Sequence, residues 1–137
     1  MHILPSSLTA QERSFAEVRE ALAARGFSLG GNWDYDHGSF DCPLDEARQV
    51  WLRLPFRVTV GSVDSEATDR DAWIRFEQPF VLKHVYNEGA DPEARFRLFG
   101  ALTDQFQDPV DADAPIEAHW IEQATRKLRE VEAMDQV

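Results

Sequence analysis

The sequence holds one cysteine, Cys42, and two methionines in 137 residues. A lone cysteine excludes an internal disulfide and a cysteine-rich zinc site. Apolar runs end after a few residues, far short of the roughly 20 that cross a bilayer. The start, Met1-His2-Ile3-Leu4-Pro5, has neither the charged n-region nor the long apolar h-region of a signal peptide. A cytoplasmic protein without membrane attachment is the expectation. Cations are scarce as well: 14 Lys and Arg stand against 25 Asp and Glu, a formal charge of −11. Such a surface repels phosphate backbones, and no basic patch in the sequence offsets it, so nucleic acid is not an expected partner. No serine sits in a G-x-S-x-G elbow, and no glycine pattern matches G-x-G-x-x-G or G-x-x-x-x-G-K-[ST]. Gly30-Gly31 precedes a strand and lacks the helix N-terminus that cradles phosphate. No cofactor is expected.

What is present is an ordinary apolar fraction, 43%, with no internal repeat and no linker long enough to separate a second domain from the first. Residues 1–137 read as one domain. Thr9-Ala10-Gln11-Glu12 has capping-box spacing, Phe15, Val18 and Leu22 recur at helical spacing, and Gly26 follows as a stop, which predicts a helix over 9–24. From Ser28 the period falls to two. Leu29, Gly31, Trp33 and Tyr35 take odd positions and Phe40, Cys42 and Leu44 even ones, a parity change that suits two strands joined at His37-Gly38. That hairpin sets Asp36 opposite Ser39, Tyr35 opposite Phe40, Asp34 opposite Asp41 and Trp33 opposite Cys42. One face is then apolar, and the other carries Asp34, Asp36 and Asp41 together.

A third strand is predicted over 49–60, with Val50, Leu52, Leu54, Phe56, Val58 and Val60 on one face and Trp51, Arg53, Arg57 and Thr59 on the other. The odd-length connection through Asp45-Glu46-Ala47 brings Arg53 beside Asp41, and Pro55 places this stretch of the strand at an edge or bulge. Residues 73–77 and 80–86 make two more strands, for a count of about five. Residues 87–112 read as irregular but packed. Asp113 as cap, Pro115 in the first turn and the stripe Ile116, Trp120, Ala124, Leu128 and Val131 predict a helix over 114–134. The fold class is α+β: a single antiparallel sheet with an N-terminal and a C-terminal helix on its apolar face.

Candidate chemistry gathers at two places. Asp34, Asp36 and Asp41, with His37 at the turn, are converging carboxylates, whose repulsion is relieved by a divalent cation, by protonation of one partner, or by Arg53 or Arg57 from the next strand. The first two remedies support a metal-dependent or carboxylate-based hydrolase; the third is structural. The second place is Lys83-His84-Val85-Tyr86-Asn87-Glu88-Gly89, where His84 and Tyr86 share a face with Phe80 and Leu82, and where Asn87 and Glu88 begin a turn. His84, Tyr86, Asn87 and Glu88 are ligand-contacting candidates, or core groups with polar handles. His37, His84 and His119 have no spacing of a transition-metal site. Cys42 falls on the apolar face as a buried thiol. Arg126, Lys127 and Arg129 complement the C-terminal helix dipole. Trp51 and Trp73 point away from the apolar faces of their strands, which favours a homodimer or another cover.

Three stretches also carry a family likeness: Gly30-Gly31-Asn32-Trp33-Asp34-Tyr35-Asp36-His37-Gly38, Pro79-Phe80-Val81-Leu82-Lys83-His84-Val85-Tyr86-Asn87-Glu88-Gly89, and Gln105-Phe106-Gln107-Asp108-Pro109-Val110-Asp111-Ala112-Asp113-Ala114. With them the chain resembles the YugN-like family of small bacterial proteins, found mostly in Bacillus and its relatives. The resemblance implies a cytoplasmic single-domain α+β protein and transfers no catalytic residues. With no complete catalytic motif present, a self-associating binding module for a small ligand or protein partner is the leading expectation, and the aspartate-based hydrolase is the alternative.

Overall fold

The computed structural model describes residues 1–30, 36–61, 72–84 and 115–134. The fold is α+β, with strands β1 (His2–Ile3), β2 (Glu12–Ser14), β3 (Ser28–Leu29), β4 (His37–Pro43), β5 (Val50–Val60), β6 (Trp73–Phe76) and β7 (Phe80–Lys83). Two helices accompany them, α1 (Phe15–Ala23) and α2 (Ala118–Ala133). The strands form one seven-stranded sheet in which every pairing is antiparallel. Its path runs β1-β7-β5-β4-β3, and β6 pairs with β2 and β5. The two strands missing from the expected five are β1 and β2, each too short for a period-two pattern to register. Among the described residues no helix is long and apolar enough to cross a membrane.

β5 organises the sheet. Val50, Leu52, Leu54 and Phe56 are buried at every second position, the alternation of a strand with one core face. The rings of Phe56, Phe40 and Phe15 meet at centroid distances of 5.1 to 5.9 Å, which ties the start of α1 to β4 and β5. Val18 and Leu22 of α1 and Ala124, Leu128 and Val131 of α2 join the same core cluster. Gln123 of α2 donates to the Leu44 carbonyl at 2.9 Å, and Lys83 pairs with Glu117 at 2.7 Å.

Pro55, expected at an edge or a bulge, lies on an interior strand, at the break between two partner strands. Along one side of β5 the partner is β7 up to Arg53 and β6 from Phe56 onward. The Pro55 carbonyl accepts from Glu77 N–H at 2.8 Å on that side. Within a strand a residue's N and C=O point the same way, so the missing N–H falls where β5 changes partner, and the β4 ladder loses nothing.

The N-terminal helix begins later than the capping box predicts. Ala10 takes φ +70°, a left-handed conformation incompatible with a helix. Ala10 N–H donates to Phe76 O at 2.8 Å, Phe76 N–H to Gln11 O at 3.0 Å, and Glu12–Ser14 pairs with β6. These sheet bonds outweigh a cap of about 1 kcal/mol, and the Glu12 carboxylate meets Arg75 at 2.8 Å. The other end is as expected. Gly26, at φ +89°, and Phe27 donate to the carbonyls of Ala23 and Leu22, the paired bonds that close a helix on glycine. The C-terminal helix starts at Ala118 instead of 114, and its predicted stripe is buried at Ala124, Leu128 and Val131.

Candidate functional site

The outer face of the sheet, opposite the buried positions of β5, carries the polar groups. The turn between β4 and β5 sets their register. Asp45 Oδ1 accepts from the N–H groups of Gln49 and Val50 at 2.8 and 2.9 Å, and Arg48 takes φ +57°, the side-chain-braced geometry that favours aspartate in turns. The register that follows places Pro43 opposite Trp51, Asp41 opposite Arg53, Ser39 opposite Pro55 and His37 opposite Arg57. On β7, Leu82 lies opposite Trp51 and Phe80 opposite Arg53.

Asp41, 7% exposed, is the one buried charged residue among those described. Arg53 grips it with two bonds, Nε to Oδ1 at 2.9 Å and Nη2 to Oδ2 at 3.1 Å, the planar fork that best satisfies a carboxylate. The expected approach of Arg53 to Asp41 is therefore present. His84 follows β7 on the same face, its N–H donating to Gln49 O at 2.7 Å. Burial, reinforced by the Arg53 charge and opposed by Asp41, holds its imidazole below the usual 6.5. The folded chain therefore resists protonating His84 while the unfolded chain accepts a proton near 6.5. Stability from this group is complete above that pH and falls as pH drops through it. Glu132 and Glu117 act in a lower window, since both are held below the usual 4.5. His84→Gln will flatten the fall in unfolding midpoint between about pH 7 and 5.5, measured by urea titration at each pH.

Gly30 closes against this site. Its N–H donates to Ser39 O at 2.8 Å, and a Cβ there would stand 2.8 Å from both Asp41 Oδ2 and Ser39 Oγ. Gly30→Ala will destabilise by about 1–3 kcal/mol through overpacking, and Ser39→Ala beneath it will recover some of the loss in chemical denaturation. Parity reasoning does not reveal this contact, because it depends on how two backbones approach.

The predicted hairpin at His37-Gly38 is replaced by another pairing. His37 lies within β4, and Asp41 faces Ser28 of β3, with Leu29 opposite Phe40. Asp36 is exposed, its carboxylate 2.9 Å from His37 Nδ1. The His37–Arg57 and Asp41–Arg53 pairs are four positions apart on β5, roughly 13 Å along a strand, so Asp36 and Asp41 do not converge. Among the described residues no three His, Cys, Asp or Glu side chains gather as metal ligands. Asp34, Tyr86, Asn87 and Glu88 lie outside the described residues, as do 87–112. Trp51, half-buried, donates its indole N–H to Arg48 O at 2.8 Å, whereas Trp73 is 44% exposed. Cys42 is buried and free, and burial pushes its thiol upward.

The model of the YugN-like family matches residues 3–134. The chain belongs to the YugN-like family. The uncharacterized protein YugN of Bacillus subtilis (strain 168) is 30% identical over 130 residues, 94% of each chain. The crystal structure of the uncharacterized conserved protein YugN from Geobacillus kaustophilus HTA426 is similar in fold, with a TM-score of 0.69 at 19% identity over 97% of this chain and 93% of that one. Within this YugN-like chain the outer sheet face is where polar, aromatic and charged groups meet.

Proposed function

We propose that the chain is a cytoplasmic, non-enzymatic binding module that works through the sheet face turned away from both helices and self-associates. The observation that carries this reading is the Arg53–Asp41 pair: the buried carboxylate on that face is already neutralised by a guanidinium fork. It therefore needs no cation, and both of its oxygens are already engaged by Arg53. The same face offers Trp51, Phe80 and His84 around the pair, a mixed apolar and hydrogen-bonding surface of the kind that holds ligands. Self-association draws support from Trp73 and Val60, opposite each other on β6 and β5 and 44% and 57% exposed. Two large apolar side chains together at one end of a sheet favour a protein cover.

Native mass spectrometry with and without magnesium, manganese, calcium or zinc, beside thermal shifts in the same buffers, tests binding mode and self-association together. A dimer without metal adduct or metal-dependent stabilisation is expected. A stoichiometric ion lost in Asp41→Asn overturns the non-enzymatic reading, and a 15.6 kDa species at high concentration overturns self-association.

A further inference from the structure

We propose that Arg57 and Arg75 together form a binding site for the phosphate group of a small phosphate monoester. The inference rests on the reading of the outer face as the working surface and names a ligand class for it. Arg57 of β5 and Arg75 of β6 are direct cross-strand partners, and His37 is the partner of Arg57 on β4. Three basic residues thus cross three strands in one row, in a chain with only 14 Lys and Arg against 25 acidic residues. Like charges set directly opposite on a sheet face destabilise it. Glu12 beside Arg75, Glu77 beside Arg57 and Asp36 beside His37 offset part of that repulsion, and an anion bound between the two guanidinium groups offsets more.

The surroundings hold the arginines from the side without saturating them. Glu12, the partner of Arg75 on β2, meets its Nη2 at 2.8 Å. Glu77 Oε1 stands 3.5 Å from Arg57 Nε, at the outer limit of a hydrogen bond. A guanidinium has five N–H donors, so both retain donors. Their side chains are 66% and 54% exposed, open to a ligand from solvent. A carboxylate is satisfied by one fork, as Asp41 is by Arg53; two adjacent forks suit a tetrahedral dianion with three terminal oxygens. Phosphate is for that reason favoured over carboxylate.

The test is calorimetric titration of the full chain with inorganic phosphate and, at matched ionic strength, with acetate, alongside NMR of the arginine Nε–Hε groups. The expected result is one phosphate per chain, shifted Nε resonances of Arg57 and Arg75, and acetate at least tenfold weaker. Arg57→Gln and Arg75→Gln each weaken phosphate at least tenfold and leave the unfolding midpoint in phosphate-free buffer unchanged or higher. Arg13→Gln, whose parent side chain bonds Gln11 and the Glu12 carbonyl, leaves the titration unchanged. Phosphate binding no tighter than acetate overturns the proposal, as does a lowered midpoint in Arg57→Gln with phosphate affinity intact. Neither outcome alters the metal and subunit readings of the native mass spectrum, so failure of this site is distinguishable from failure of the module.

Discussion

Phe56→Ala will lower the unfolding free energy by about 3–5 kcal/mol, a large share of the roughly 5–15 kcal/mol that holds a domain together. Phe56 is 1% exposed on the strand with the most neighbours, and its ring meets those of Phe15 and Phe40 at 5.9 and 5.1 Å. Truncation removes the transfer free energy of the ring and leaves a cavity walled by two more aromatics, which cannot close over it without leaving their rotamers. Helix α1 will feel the loss. It has nine residues, and its Ser14 cap makes no side-chain hydrogen bond, so it is too short to persist without tertiary packing. Phe15, its first residue, docks on Phe40 and Phe56. Urea unfolding followed by far-ultraviolet circular dichroism should show the reduced midpoint, and Phe56→Leu should lose less. A loss below about 1 kcal/mol for the alanine variant would mean that the core collapses freely around the site.

The faces of the strands were legible from the sequence, whereas their partners were legible only to a degree. A period of two states which side of a strand is buried, and Phe40, Cys42, Leu52, Leu54 and Phe56 lie where that period puts them. Register is a separate quantity. Shifting the partner of Phe40 from Tyr35 to Leu29 moves the pairing by an even number of residues, so Leu29, Phe40 and Cys42 keep the face that the period assigns them. The hydrophobic pattern is blind to that shift, and the convergence of three aspartates depended wholly on it. The Asp41–Arg53 pair was legible because the Asp45 turn between β4 and β5 is short, which leaves little choice of register. The capping box at Thr9 misled for the opposite reason: its local preference is real, but the backbone of Ala10 to Ser14 is claimed by β6, which is more than fifty residues away. The Arg57–Arg75 row is invisible to any single-strand pattern, since its two members lie on strands separated by a long connection.

Arg53→Ala is the largest effect expected from a polar substitution, about 3 kcal/mol, at the low end for breaking a buried pair because the Arg53 side chain is 28% exposed. The asymmetry between the partners decides the outcome. Asp41, with 9% of its side chain exposed, would be left as a largely buried, uncompensated charge against Gly30 and Ser39. Asp41→Asn is milder, since Arg53 reaches solvent and the amide oxygen still accepts from it. Replacing both with apolar groups of similar size, Asp41→Leu with Arg53→Met, should return stability to within about 1–2 kcal/mol of the parent chain. A double-mutant cycle in urea then measures the coupling, for which about 2 kcal/mol or more is expected for neighbours in contact. Coupling near zero, with Arg53→Ala no worse than Asp41→Asn, would show that the pair does not hold the outer face together. The reading of that face as a pre-neutralised binding surface would lose its physical basis.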